Sequence, residues 1–143
     1  MKKRNQLQRG AALVEFALIS TLLFLLLFGI IEIGLILGDQ AQVGQAAREA
    51  ARSAAVGSPV GIAQAAAVSA GTGLRLTSAS VYLEKSTNGA PWVALGDTAS
   101  GTNDAASGSL IRATVSYAHP LVTTLIFSGS TRLLTSKMVM RRE

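Results

Sequence analysis

The chain divides by polarity before it divides by anything else. From Ala11 to Leu37 nearly every side chain is apolar, and Glu15 and Glu32 are the only charges. A helix of that length covers about 40 Å at 1.5 Å per residue, more than a ~30 Å hydrocarbon core. The charge-free stretch Phe16–Ile31 is 16 residues, or roughly 24 Å. The pattern predicts one transmembrane helix over residues 11–38, with Glu15 and Glu32 near opposite interfaces, where carboxylates cost least. Gly34 and Gly38 form a G-x-x-x-G pair near its outer end, placing two bare positions on one face for close helix packing. Gly29 and Gly34 also lower helix propensity, so bending or local unwinding is expected there when the helix is packed.

Past Asp39 polarity rises while the helical period persists. Val43, Ala47, Ala50 and Ala54 recur at four- and three-residue spacing, a narrow stripe of small apolar side chains. Off that stripe, Glu49 and Arg52 are placed to pair at i,i+3. The helix is expected to continue over 39–57 and to stop at Gly57. Ser58-Pro59 then predicts an N-cap followed by proline at the first position of a short alanine-rich helix through Ala70, ended by Gly71-Thr72-Gly73.

The remainder reads as strands: Leu74–Leu83, then a turn at Thr87-Asn88-Gly89-Ala90, then a return at Trp92–Leu95. Gly96–Ser109 reads as a flexible surface loop. Leu110–Ala118 alternates cleanly, with Ile111, Ala113, Val115 and Tyr117 on one face, and Pro120 is expected to break it. Leu121–Phe127 fits either a short helix or an extended connector. Arg132–Met140 is a last strand, with Leu134, Met138 and Met140 on one face. The expected architecture is α+β: residues 58–143 form a small domain whose antiparallel sheet packs against the polar half of the long helix.

Charge refines this picture. The chain has 13 basic and 8 acidic side chains and a net charge of +5. Lys2, Lys3, Arg4 and Arg9 all precede Gly10, so residues 1–10 form a basic leader, and without it nine cations face eight acids. The leader is a topology signal that holds the N-terminus in the cytoplasm, and it is no footprint for nucleic acid. The apolar run is longer than the 7–15 residues of a secretory signal and carries an acid near its start, which argues against an ordinary signal peptide.

Candidate chemistry is sparse. The chain has no cysteine, which excludes disulfides, thiolate catalysis and cysteine metal sites. His119, the only histidine, precedes a proline at a strand end and reads as a solvated or capping residue. Asp97 and Asp104 read as solvated loop acids, and Trp92 and Tyr117 as core residues. No G-x-S-x-G and no phosphate-binding loop occurs. The expectation is a protein that is not an enzyme and takes no cofactor or metal.

One segment carries more. Gly10-Ala11-Ala12-Leu13-Val14-Glu15-Phe16-Ala17-Leu18 resembles the processing motif of TadE-like proteins, minor pilins or pseudopilins of the tight-adherence (Flp) pilus system. Ala46-Ala47-Arg48-Glu49-Ala50-Ala51-Arg52 and the final Thr135–Glu143 resemble that family's post-membrane helix and last strand. Residues 58–109 carry no diagnostic match. Thr21 stands where the family often has proline, and Gly34-Leu35 where an arginine often follows the glutamate. The resemblance implies a pilin-like fold and cleavage by a prepilin peptidase between Gly10 and Ala11, with Glu15 and Phe16 completing the processing and assembly motif. Its implied partners are other pilin subunits, the inner-membrane assembly platform and membrane lipid; its implied place is the bacterial inner membrane, single-pass, or the pilus itself. The reading from residues alone leaves a second possibility open: an uncleaved, membrane-anchored periplasmic scaffold module of a secretion system.

Overall fold

A computed structural model describes residues 2–122 and 129–143, with side chains from residue 10 onward. One α-helix, α1 (Lys2–Ala55), carries both the apolar run and the alanine-rich segment through 54 residues, roughly 80 Å. It extends back through the leader, whose Lys, Arg, Gln and Leu are good helix formers. In the single chain α1 runs unbroken through Gly29 and Gly34. Each glycine costs about 1 kcal/mol relative to alanine, too little to interrupt a helix that is strongly favoured on both sides.

Gly57 ends α1 as expected. It adopts φ +95°, and Gly57 N–H donates to Ala54 O at 3.0 Å while Ser58 N–H donates to Ser53 O at 3.2 Å, the paired bonds of a Schellman motif. A β-carbon there would also collide with the Arg142 guanidinium.

The second helix, α2 (Val60–Ala70), begins one residue later than Ser58-Pro59 predicts, with Pro59 itself at the cap. No local side chain caps it; the Val60 N–H donates instead to Asp97 Oδ1 at 2.7 Å, across 37 residues of sequence. Asp97 is thus no idle loop acid. Because a side-chain cap is worth about 0.5–2 kcal/mol, Asp97→Ala should lower stability by about 1 kcal/mol, read as a reduced urea midpoint at unchanged slope.

The sheet has four antiparallel strands in the order β2-β1-β3-β4: β1 Val81–Ser86, β2 Val93–Ala94, β3 Leu110–Pro120 and β4 Thr131–Arg141. Its inner face presents Val81 and Leu83, Ile111, Ala113 and Val115, and Leu134 to a helical surface made of Val43, Ala46, Ala47, Ala50, Ala51 and Ala54. Ala63 and Ala67 of α2 complete the core, and Tyr117, Met138 and Met140 pack at its margin. Alanine on the helices lets backbones approach closely, so the larger side chains come from the sheet.

Several expectations change here. Residues before Val81 do not extend the first strand: Leu74 and Leu76 plug the core from an irregular segment, and Ser78–Ser80 make a short 3-10 turn. Pro120 does not break β3, which pairs with β4 as far as Pro120↔Thr131. The neighbour on the other side, β1, stops at Val81↔Val115. Leu121 N–H bonds toward β4, so the N–H that Pro120 lacks belongs to the open side, where no ladder bond is lost. Of the ambiguous Leu121–Phe127, residues 123–127 lie outside the described residues.

Gly96–Ser109 is not a loose surface loop. Asn103 is 3% exposed and donates to Ala54 O at 2.7 Å and Ser58 O at 2.9 Å, which pins the loop to the C-terminus of α1. Asp104 pairs with Lys85 and accepts from Gly96 N–H at 2.8 Å. The Lys85 hydrogen bond holds its carboxyl below the ordinary range, against a smaller opposing effect of burial. Trp92 is not a core residue either: it is half-buried, and the Arg112 guanidinium lies 4.2 Å from its ring centroid. The same arginine bonds Glu84 at 2.7 Å.

Candidate functional site

Three groups of side chains stand out along α1, one at each end of the apolar run and one on its exposed flank. At the N-terminal end of the apolar run, Gly10, Ala11, Glu15 and Phe16 are all exposed. An added β-carbon at Gly10 would meet nothing within 4 Å. Glu15 lies four residues after Ala11, one helical turn, so its carboxylate and the Ala11 backbone nitrogen share a face. Among the described residues no tertiary contact covers this stretch.

Gly34 and Gly38 lie on the flank, again with nothing within 4 Å of an added β-carbon. Among the described residues nothing packs on the surface expected of them.

The third group was not foreseen. Glu32 is 1% exposed and His119 4%. The His119 Nδ1 lies 2.7 Å from Asp39 Oδ2, and Nε2 stands 3.8 Å from Glu32 Oε1. Glu32 Oε1 also accepts the Val122 backbone N–H at 3.0 Å. Glu32, Ile36, Asp39 and Val43 follow one another at four- and three-residue spacing, so this cluster continues the core stripe of α1 toward the membrane. The end of β3 therefore lies on the helix, and a histidine read as solvated is enclosed between two carboxylates. A sequence signal existed in the helical phase that Glu32 and Asp39 share with Val43. Their partner could not be read, because the histidine lies 80 residues from Asp39.

Chemically, the cluster is a clamp: hydrogen bonds fix a strand end to a helix. Among the described residues no group of three His, Asp or Glu side chains is arranged to hold a metal ion. Of the concave surfaces, one of about 300 Å³ is lined by Lys85, Ser86, Thr87, Pro91 and Asp104 among others. Its lysine and aspartate are already paired with each other, leaving no activated nucleophile or poised acid and base.

Residues 10–52 match the model of a family described as TadE-like protein. The matched segment opens on the glycine of the leader junction and closes on Arg52, the partner of Glu49 at 3.0 Å. It takes in Glu15, Glu32 and Asp39 and stops before α2. No curated protein and no solved structure matches the chain.

Proposed function

We propose, with the TadE-like match of residues 10–52 as premise, that this protein is a minor pilin of a Tad/Flp adhesive pilus. The observation that carries the reading is the coincidence of that match's first residue with an exposed Gly10-Ala11 junction and an exposed Glu15 one turn beyond it. A prepilin peptidase cuts after Gly10 on the cytoplasmic side; glycine offers no side chain to obstruct it, and the basic leader keeps the junction at the membrane surface. Cleavage leaves Ala11 with an α-amino group, a cation of reference pKa about 7.7–8.0. Glu15 then has an opposite charge within reach, in its own subunit or a neighbour's, and the mature chain enters a filament with other pilin subunits at the assembly platform.

Mass spectrometry of the intact protein isolated from its native membrane tests this directly. The expected mature chain begins at Ala11. A chain that still begins at Met1 would favour the uncleaved, membrane-anchored scaffold module and remove the pilin reading.

A further inference from the structure

Strand β3 outruns its neighbour β1. The β1–β3 ladder ends at Val81↔Val115, while β3 continues to Pro120. Bonds at the two ends of the β3–β4 ladder set the phase of the strand: Arg142 N–H donates to Ser109 O at 2.7 Å, and Leu121 N–H to Ser130 O at 3.0 Å. Odd-numbered residues of β3 therefore turn their N–H and C=O toward β4, and even-numbered ones turn theirs toward β1. Past Val115 no strand lies on that side. Ser116 and Ala118 each offer an N–H and a C=O there, and Pro120 a C=O, with no backbone partner among the described residues. Pro120, which lacks an N–H, closes the far end of this open edge.

The edge lines a concavity of about 660 Å³, together with Tyr117 and with Gly73, Arg75 and Ser80 from the segment between α2 and β1. The Gly73 N–H donates to Gln42 Oε1 at 3.0 Å, and Gln42 lies five residues past Leu37, beyond the apolar run of α1. Arg75 is exposed and is the one charged residue lining the concavity. Among the described residues it makes no ion pair.

The other open edges of the sheet are guarded. β2 is two residues long. β4 carries exposed Lys137 and Arg141, and its Thr135 C=O accepts a bond from Gln40 Nε2 at 3.3 Å. Short edges and edge cations are the usual defences against stray strand pairing. Ser116 and Ala118 carry small side chains and no charge. Alternating backbone donors and acceptors on an extended edge are matched by another extended backbone, and a lone exposed guanidinium is matched by an acid.

We propose that this notch is a strand-addition site for an extended acidic peptide segment of another protein. The segment continues the line of β1, bonds Ser116 and Ala118 through its backbone and sets a carboxylate against Arg75. Five residues of edge span roughly 17 Å, room for a strand of about the same length. The backbone bonds supply affinity, and Arg75 supplies the preference for acid. The site stands whether or not the leader is removed.

Full-length protein in lipid nanodiscs is used to select hexapeptides from a random displayed library, with empty nanodiscs as counter-selection. The enriched peptides are expected to be acidic and to bind in fluorescence anisotropy titrations. Ala118→Pro removes one outward N–H, as Pro120 already does two residues on, and should weaken binding roughly tenfold. Arg75→Glu should weaken it roughly fivefold at low salt. Neither change should move the urea midpoint. A second measurement leaves the protein untouched: N-methylation of alternate peptide amides should abolish binding in one phase and spare it in the other, since only one set of amides faces β3. Failure to enrich any peptide, or binding that ignores both Ala118→Pro and the phase of N-methylation, would overturn the proposal. Binding unchanged by Arg75→Glu would overturn the acidic partner. Self-association of the chain that Ala118→Pro abolishes, with no peptide enriched, would assign the edge to a second copy and overturn it as well.

Discussion

His119→Ala should lower the unfolding free energy by about 3 kcal/mol, which would rank it among the most damaging single changes in the chain. The imidazole is the bridge between β3 and α1, 2.7 Å from Asp39 and 3.8 Å from Glu32. Its removal strips a hydrogen bond from a carboxylate, opens a hole in a sealed site and leaves two acids facing each other across it. Hydrogen bonds to charged groups contribute about 1.5–3 kcal/mol, and a buried polar group left without its partner costs a similar amount again. Urea unfolding of the full chain in detergent micelles, followed by Trp92 fluorescence, reads the loss as a fall in midpoint. Asp39→Asn keeps an acceptor for the ring and should cost clearly less. An unchanged midpoint for His119→Ala would mean that the clamp contributes no stability.

Glu15→Ala has the opposite profile: no effect on folding and a large one on assembly. Glu15 is exposed, and nothing in the folded part of the chain depends on it. At low dielectric, a carboxylate one turn from a new α-amino group favours the register in which the two charges meet and penalises every other. The variant should therefore be cut normally after Gly10, accumulate in the membrane, and fall to background in sheared pili. Mass spectrometry of the N-terminus and immunoblotting of the pilus fraction separate the two steps. Wild-type levels in pili would remove Glu15 as an assembly determinant.

The local pattern carried most of the fold and little of its wiring. Period-3.6 apolarity gave α1 and the Val43–Ala54 stripe, and strict alternation gave β3 and the buried trio Ile111, Ala113 and Val115. Those signals live in neighbouring residues. The misplaced side chains are mostly polar ones whose partners are remote in sequence, while the overlong first strand and the expected break at Pro120 are errors of backbone pairing. Asn103 was hidden in a Gly/Ser/Thr-rich segment that looks like a linker, yet it closes the end of α1 across 49 residues. Asp97 caps a helix that begins 37 residues earlier, and half-buried Trp92 lies against the Arg112 guanidinium. His119 was misread for the same reason: the proline after it signals a strand end, but not what the strand end rests against. At the leader junction the reading rests on exposure and spacing alone, and both are local.

The clamp also has a timetable. Glu32 leaves the ribosome 90 residues before the Val122 amide that will cover it, and at about 5–20 residues per second that interval is roughly 5–18 s. During that interval the span is in place while its outer carboxylate has no hairpin over it. The buried position of Glu32 is therefore completed late, by the end of β3, long after the helix that carries it has been made. The first helix of the chain waits on its third strand for the contacts that enclose its carboxylate.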